Sequence, residues 1–197
     1  MFGSKPIELV MKDQYLIERH PNQDFKKGTK VTIQKNQELV LMLPGGLMEV
    51  IKNQFDLRLD ERVKYLYFAL SNKAIQQSNW GTKSRVQLEI DGIPKSLGGY
   101  GTIQFRLMNP IRYIEKRMGN ATFVTAEMLT DLVLAKIPEA LSQIALELKE
   151  SDKREINKLT IKVKELLSQA LTTVLSDMGI ELVDMVVTNI NLQEVEE

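Results

Sequence analysis

The sequence offers few of the side chains that catalysis uses. Its 197 residues contain no cysteine and one histidine, His20. A thiolate nucleophile, an iron–sulfur cluster, a disulfide scaffold and a metal site built on several histidines are therefore excluded. His20 stands before Pro21 without a Ser or Cys motif nearby, so we interpret it as a surface residue. No cofactor and no metal are expected.

Glu89 and Asp91 are the carboxylates whose spacing suggests chemistry. Two positions apart on a predicted strand, they point to the same face. A hydrolase with two carboxylates needs them on either side of a bond, with one in an apolar pocket that raises its pKa. The surrounding sequence does not predict that pocket and favours a solvated strand face. A carboxylate-based hydrolase is therefore the weakest functional hypothesis.

Glycine and tryptophan mark a second candidate region. Residues 98–101 contain three glycines, but a strand is predicted behind them, whereas a phosphate-binding loop needs a helix there. We predict a bend or bulge that opens this strand. Trp80, beside Gly81, is predicted to fill the edge of a core rather than to stack on a ligand. The chain is therefore expected to be no enzyme and to bind neither nucleic acid nor a small-molecule substrate.

Charge is unevenly distributed although the net charge is zero. Residues 1–119 carry 19 Lys and Arg against 12 Asp and Glu, and the remainder carries 7 against 14. This segregation predicts a basic face for an anionic surface or a contact between basic and acidic patches of two copies. Solvated acidic helices are an equally good interpretation. Around Gly28, three lysines form either a solvated turn or a contact for phospholipid head groups: Lys26, Lys27 and Lys30.

Nothing in the sequence resembles a membrane span or a secretion signal. The longest apolar run covers residues 39–43, far short of the roughly 20 residues that a bilayer span needs. The first residues lack the apolar stretch of a signal peptide. We therefore expect a cytoplasmic protein, with peripheral contact at the inner face of the cell membrane.

The first half of the chain has the pattern of short strands. Strands are predicted over residues 7–11, 14–19, 31–33, 39–43, 47–51, 65–70, 86–90 and 100–108. The turn at residues 44–46 is expected to return the chain antiparallel to the strand before it.

The second half changes to a helical period. Asn109 and Pro110 predict the start of a short helix that ends at Gly119. Thr125 is expected to cap a second helix, which Pro138 should kink or split. Ser151 or Asp152 is expected to cap a third helix, and a final strand follows Gly179 over residues 180–192.

This order of elements predicts an α+β fold, an antiparallel sheet packed with helices and closed by a C-terminal strand. We expect one domain over residues 1–197, strand-rich over 1–108 and helical over 109–178.

Four stretches in this order resemble the SPFH or band 7 superfamily, which includes stomatins, prohibitins and flotillins, and within it a soluble bacterial branch described as virion-core-protein-like. They are residues 28–33 with 37–40, residues 80–82, residues 100–107 with 109–110, and residues 178–182 through 189–192.

The resemblance implies a non-catalytic scaffold that self-associates and recruits or organises membrane proteins or other partners at or near a membrane, so a homo-oligomer is expected. Peripheral binding to anionic lipid is the alternative. Many relatives carry an N-terminal anchor or a C-terminal extension, and this sequence shows neither; we expect a short member or a domain cut from a longer one.

The charge pattern also yields a specific self-association surface. It sets a basic region of one copy against an acidic helix of the next. The basic residues are Arg106, Arg112, Lys116 and Arg117, and the acidic residues are Glu147, Glu150, Asp152 and Glu155. Oligomers held in this way are expected to be sensitive to salt.

Overall fold

The structure is a computed structural model, and it describes residues 5–52, 54–148, 151 and 155–194. The chain divides into two compact units. Unit 1 comprises Met1–Ala74 and Leu107–Met128, and unit 2 comprises Ile75–Arg106 and Leu129–Glu197. The expectation of one domain over residues 1–197 stays a prediction.

Unit 1 is built on two sheets. Its strands are β1 Ile7–Glu8, β2 Tyr15–Arg19, β3 Lys30–Thr32, β4 Gln37–Met42, β5 Met48–Ile51, β6 Asp56–Arg58, β7 Tyr65–Leu70 and β11 Phe123–Thr125. Five of them form an antiparallel sheet in the order β11-β2-β7-β4-β5, and three form a smaller sheet in the order β1-β3-β6. In the smaller sheet β1 pairs parallel to β3, which differs from the antiparallel pairing expected throughout.

The core of unit 1 follows from the apolar runs. Strands β4 and β7 lie inside the larger sheet and are paired on both sides, so nearly all of their residues are buried. Leu39, Leu66 and Phe68 are fully enclosed. The predicted return of the chain after residues 44–46 is confirmed, because β5 pairs antiparallel with β4. Gly46, with a φ of +85°, lies in that turn.

Unit 2 contains a second antiparallel arrangement. Its strands are β8 Gln76–Gly81, β9 Val86–Ile90, β10 Ile93–Leu107 and β12 Ile180–Glu194. β10 lies in the middle, with β12 on one side and both β8 and β9 on the other. β9 forms a hairpin with the first part of β10, and β8 pairs with the part from Tyr100 to Phe105.

Three helices are described. They are α1 Pro110–Tyr113, which continues as a π-helical turn over Ile114–Met118, α2 Ala126–Glu147 and α3 Ile156–Asp177. The predicted caps of the first two are confirmed: Asn109 Oδ1 accepts from the Arg112 amide at 3.1 Å, and Thr125 Oγ1 accepts from the Met128 amide at 3.1 Å. The short helix ends before Gly119, as expected.

The expectations for the longer helices are met only in part. Helix α2 is continuous through Pro138, so the proline does not split it, and the alternative of a kink stays a prediction. Helix α3 begins at Ile156 after Glu155, rather than at a cap formed by Ser151, and Asp152 lies outside the described residues. The third helix is confirmed, and this helix packs on β12 through a buried row with a spacing of four: Leu159, Val163, Leu167, Leu171 and Leu175.

The strands over residues 65–70 and 86–90 have the predicted bounds, and the final strand is confirmed as β12. β6, β8 and β11 were not expected. The bend predicted at residues 98–101 is wrong, because β10 begins at Ile93 and runs through the glycines without a break. The glycines accommodate the close approach of β12 instead of bending β10.

Candidate interaction surfaces

Strands β10 and β12 are joined by ion pairs at both ends. Arg106 Nε lies 2.5 Å from Glu181 Oε2, and Lys95 Nζ lies 2.5 Å from Glu194 Oε1. The two strands therefore run in opposite directions. The hydrogen bond from Arg106 lowers the pKa of Glu181, and the bond from Lys95 lowers the pKa of Glu194. Both pairs are partly exposed, so they hold register more than they add stability.

Between these pairs the glycines of β10 allow β12 to come unusually close. A β-carbon on Gly101 would lie 1.9 Å from the Val186 carbonyl oxygen, and one on Gly99 would lie 3.0 Å from the Asn189 carbonyl oxygen. The first distance is impossible for a real side chain, and the second would require the neighbouring strand to shift by a few tenths of an ångström. Because these glycines carry no side chains, the backbone of β12 can pack directly against β10.

Trp80 and Arg85 hold the same strand. Trp80 is buried, and its Nε1 donates to the Val186 carbonyl oxygen at 3.2 Å, which confirms its predicted place in a core. Arg85 donates to the carbonyl oxygens of Ser96 and Asn191 at 2.9 and 3.0 Å. The inner edge of β12 is thus held by side chains of Trp80 and Arg85 as well as by pairing with β10.

The other edge of β12 is open. In the described part of unit 2, β12 is the terminal strand of its sheet, and Val183 and Val186 are 38% and 40% exposed. Residues 182–192 carry a single charge, that of Asp184. Soluble proteins usually protect a long edge strand with charges, prolines or bulges. Sequence reasoning missed this surface, although its length and lack of charge are readable.

The structure does not bring the residues predicted for self-association together on one surface of one unit. Arg106 pairs with Glu181, and Glu155 accepts from Lys158 at 2.7 Å. Arg112, Lys116 and Arg117 are exposed in unit 1, while Arg106 belongs to unit 2. Glu147 is exposed at the end of α2, and Glu150 and Asp152 lie outside the described residues. The predicted surface stays a prediction.

The basic turn predicted for lipid contact has a further member. Lys26 and Lys27 are exposed beside Gly28, whose φ is +83°, and Lys30 begins β3. Lys30 is directly opposite Arg58 of β6 in the sheet register. None of these four cations has an ion pair with a carboxylate of the described residues. The cross-strand position of Arg58 was not readable from the sequence.

The catalytic candidates do not converge. Glu89 is exposed on β9, opposite Pro94, and Asp91 is exposed in the turn that follows. His20 is half-buried rather than fully on the surface; its Nδ1 accepts from the Asn22 amide at 3.1 Å, and burial lowers its pKa. Among the described residues, no three His, Cys, Asp or Glu side chains are grouped so as to hold a metal ion.

Helices of the described segments are all too short or too polar to cross a bilayer. No curated protein matches the chain. A family profile described as SPFH domain-Band 7 family matches residues 62–197, which is more than half of the chain. Proteins of that family are generally scaffold-like, membrane-associated and non-enzymatic. Assignment to the soluble bacterial branch stays a prediction. The α+β architecture agrees with the match, and the chain belongs to the SPFH domain-Band 7 family.

Proposed function

We propose that this chain is a non-catalytic scaffold that self-associates through the open edge of β12 and organises protein partners at or near the cytoplasmic face of a membrane. The observation that carries the proposal is the combination of length and low charge at that edge: 15 residues of strand, with one charge over residues 182–192. The general character of the family supports the scaffold role.

An exposed strand edge is a row of unpaired backbone donors and acceptors. A second strand satisfies these groups and covers the apolar side chains beside them. Two copies of β12 in antiparallel pairing would place the same residues on both sides of a twofold axis, the commonest symmetry of homo-oligomers. Val183 and Val186 would then be buried at the contact, and no charge other than Asp184 would have to be desolvated between residues 182 and 192.

The charged residues predicted for self-association act as a second, weaker contribution in this proposal. Within this contribution Arg112, Lys116 and Arg117 of one copy would meet Glu147 of another, since these four side chains are exposed. Exposed pairs of this kind contribute at most about 1 kcal/mol each and weaken with salt.

Light scattering after gel filtration tests the proposal. We expect oligomers of the full chain at low salt, and Val183→Lys should shift them to monomers, because a lysine opposes strand pairing at an edge. Ile161→Lys is the matched control: Ile161 is 69% exposed on α3 and lies outside the proposed surface, so the same substitution there should leave the mass unchanged.

A monomer at high concentration and low salt would overturn self-association. Oligomers that dissociate in salt but tolerate Val183→Lys would instead assign the contact to the charged residues. Oligomers that resist salt and dissociate with Val183→Lys would support the strand edge.

Peripheral binding to anionic lipid is the second candidate, and the unpaired cations of the basic turn favour it. Lys26, Lys27, Lys30 and Arg58 have no carboxylate partner among the described residues, and each cation near an anionic surface contributes about 1 kcal/mol. We expect the protein to pellet with vesicles containing phosphatidylserine and not with phosphatidylcholine vesicles. Failure to pellet at low salt, or pelleting that survives Lys27→Glu, would exclude this turn as the contact.

A further inference from the structure

Unit 1 contains a polar cavity of about 360 Å³. Its size falls within the range of small-molecule sites, about 300 to 1,000 Å³. Three lysines, Lys35, Lys52 and Lys73, line it together with Glu38 and the ring of Phe55. Glutamine side chains complete the wall. This collection of charged, amide and aromatic groups is typical of sites that bind polar organic molecules rather than of a gap in apolar packing.

Glu38 is the most unusual member. It lies on β4 among Leu39, Val40 and Leu41, and its side chain is 2% exposed. Within the described residues its carboxylate has one partner, Lys52 Nζ at 3.4 Å, and Lys52 is 50% exposed. Burying a carboxylate without a full set of hydrogen bonds is costly. An apolar residue here would fit the strand better, so the charge requires another explanation.

The lysines make the cavity attractive to an anion. The lining contains three ammonium groups and one carboxylate, so its net charge is positive. Lys73 has a φ of +48°, a left-handed backbone conformation that a long side chain rarely adopts. Its Nζ donates to the Met108 carbonyl oxygen at 2.5 Å, which fixes the ammonium in place and leaves two of its hydrogens for other acceptors.

The remaining groups suit hydroxyls and a carbon face. The Glu38 carboxylate accepts hydrogen bonds, and the amides of Gln34 and Gln54 both donate and accept them. Phe55 is exposed at this site and offers a ring against which the C–H face of a sugar or polyol packs. Gln37 instead has a structural role, since its Nε2 donates to the Leu9 carbonyl oxygen at 3.0 Å.

We propose that this cavity is a binding site for a phosphorylated polyol of about monosaccharide size. Lys35, Lys52 and Lys73 hold the phosphate, and Glu38 accepts from the hydroxyls. The same chemistry occurs in a free sugar or inositol phosphate and in the head group of an inositol lipid. The site is built from residues of unit 1 that the proposed self-association does not use, and its existence does not depend on that function.

Calorimetric titration of the full chain tests the site. We expect inositol 1-phosphate to bind at least about tenfold more tightly than inositol or inorganic phosphate, a difference of about 1.4 kcal/mol. Lys52→Met and Glu38→Gln should each weaken binding by about tenfold or more. Lys164→Met, an exposed lysine of α3 with no partner among the described residues, should change it less than about twofold.

Vesicles separate the two sources of the ligand. Pelleting with phosphatidylinositol vesicles that inositol 1-phosphate competes away supports a lipid head group, whereas binding of the soluble compound alone supports a free metabolite. No saturable binding up to about 10 mM, or equal affinity for inorganic phosphate and inositol 1-phosphate, would overturn the proposal. Thermal melts of both variants show that any loss of binding occurs in folded protein; if Glu38→Gln does not fold, Lys52→Met decides.

Discussion

The contact between β10 and β12 in unit 2 and the cavity around Glu38 in unit 1 are built by opposite means. At the contact, β10 has glycines instead of residues with side chains, so Gly99 and Gly101 meet the backbone of β12 directly. At the cavity, the charged side chain of Glu38 lies inside a strand of apolar residues, and its one partner in the described part of the chain is Lys52 at 3.4 Å. The contact leaves no space between β10 and β12, whereas the cavity around Glu38 is a space lined by polar groups.

This difference separates a region that determines architecture from one that is suited to binding. A tight backbone contact tolerates almost no change in volume. An incompletely paired charge lowers stability and persists where function uses it. Three experiments, with four substitutions, test how the two kinds of arrangement affect stability.

Gly101→Ala should have the largest effect. Its β-carbon would clash with the backbone of Val186, which a side-chain rotation cannot relieve. We expect a loss of at least about 3 kcal/mol in the free energy of unfolding. Urea unfolding followed by the fluorescence of Trp80, the single tryptophan, measures it. Gly45→Ala is the control, because nothing lies within 4 Å of its position, and it should stay within about 0.5 kcal/mol. Equal midpoints for the two variants would contradict the close approach of β12.

Substitution of the two partners of the cavity's ion pair, Lys52 and Glu38, should change the free energy of unfolding by different amounts. Lys52→Met leaves the Glu38 carboxylate buried without its partner and should lower the free energy of unfolding by about 1 to 2 kcal/mol. Glu38→Gln removes the buried charge, while the half-exposed Lys52 turns to water, so the change should stay below about 1 kcal/mol. Chemical denaturation of the two variants gives the comparison. The reverse order would show that Glu38 is a stabilising residue rather than a costly one.

Glu18 should give the smallest effect, and the size of this effect depends on pH. Burial raises the pKa of Glu18 although Lys12 opposes this, and its buried Oε2 has no hydrogen-bond partner among the residues that the structure describes. The folded state therefore binds the proton more tightly than the unfolded state, and stability falls as pH rises through the range between the two pKa values.

Glu18→Gln removes this loss. It should stabilise the protein by up to about 1 kcal/mol at pH 7 and by much less at a pH below the ordinary carboxyl range, as measured by urea unfolding at both values. Glu49→Gln, on the exposed side of β5, is the control and should show no such difference. An equal gain for Glu18→Gln at both pH values would show that burial of the charge is not its cause.

Much of the architecture was predictable because strong local signals coincide with tertiary structure. Asn109 and Thr125 cap helices by bonds to their own backbone, and the row from Leu159 to Leu175 follows the helical period. β8 was not predictable: Gln76, Gln77, Ser78 and Asn79 are polar, so Trp80 is its one large apolar residue, and the strand is defined by backbone pairing with β10.

The surfaces were less predictable than the elements. The pairing of Arg106 with Glu181 and the position of Arg58 opposite Lys30 depend on register between distant strands, which composition does not reveal. The glycines at 98–101 were recognised as unusual, but a glycine that bends the chain and one that admits a neighbour look alike in sequence. The clearest feature of the sequence that was left uninterpreted is the charged residue Glu38 inside an apolar strand.

The contacts that hold β12 against β10 also affect how the polypeptide folds during synthesis. The bond from Trp80 to Val186 joins positions 106 residues apart. Until the ribosome has released that far segment, β10 has no partner along its glycine side, and its backbone groups stay open to any passing strand. Closure of unit 2 is therefore a late event dominated by distant contacts, the slowest kind to form. A chaperone that shields β10 during this interval would protect the nascent chain when aggregation is most probable.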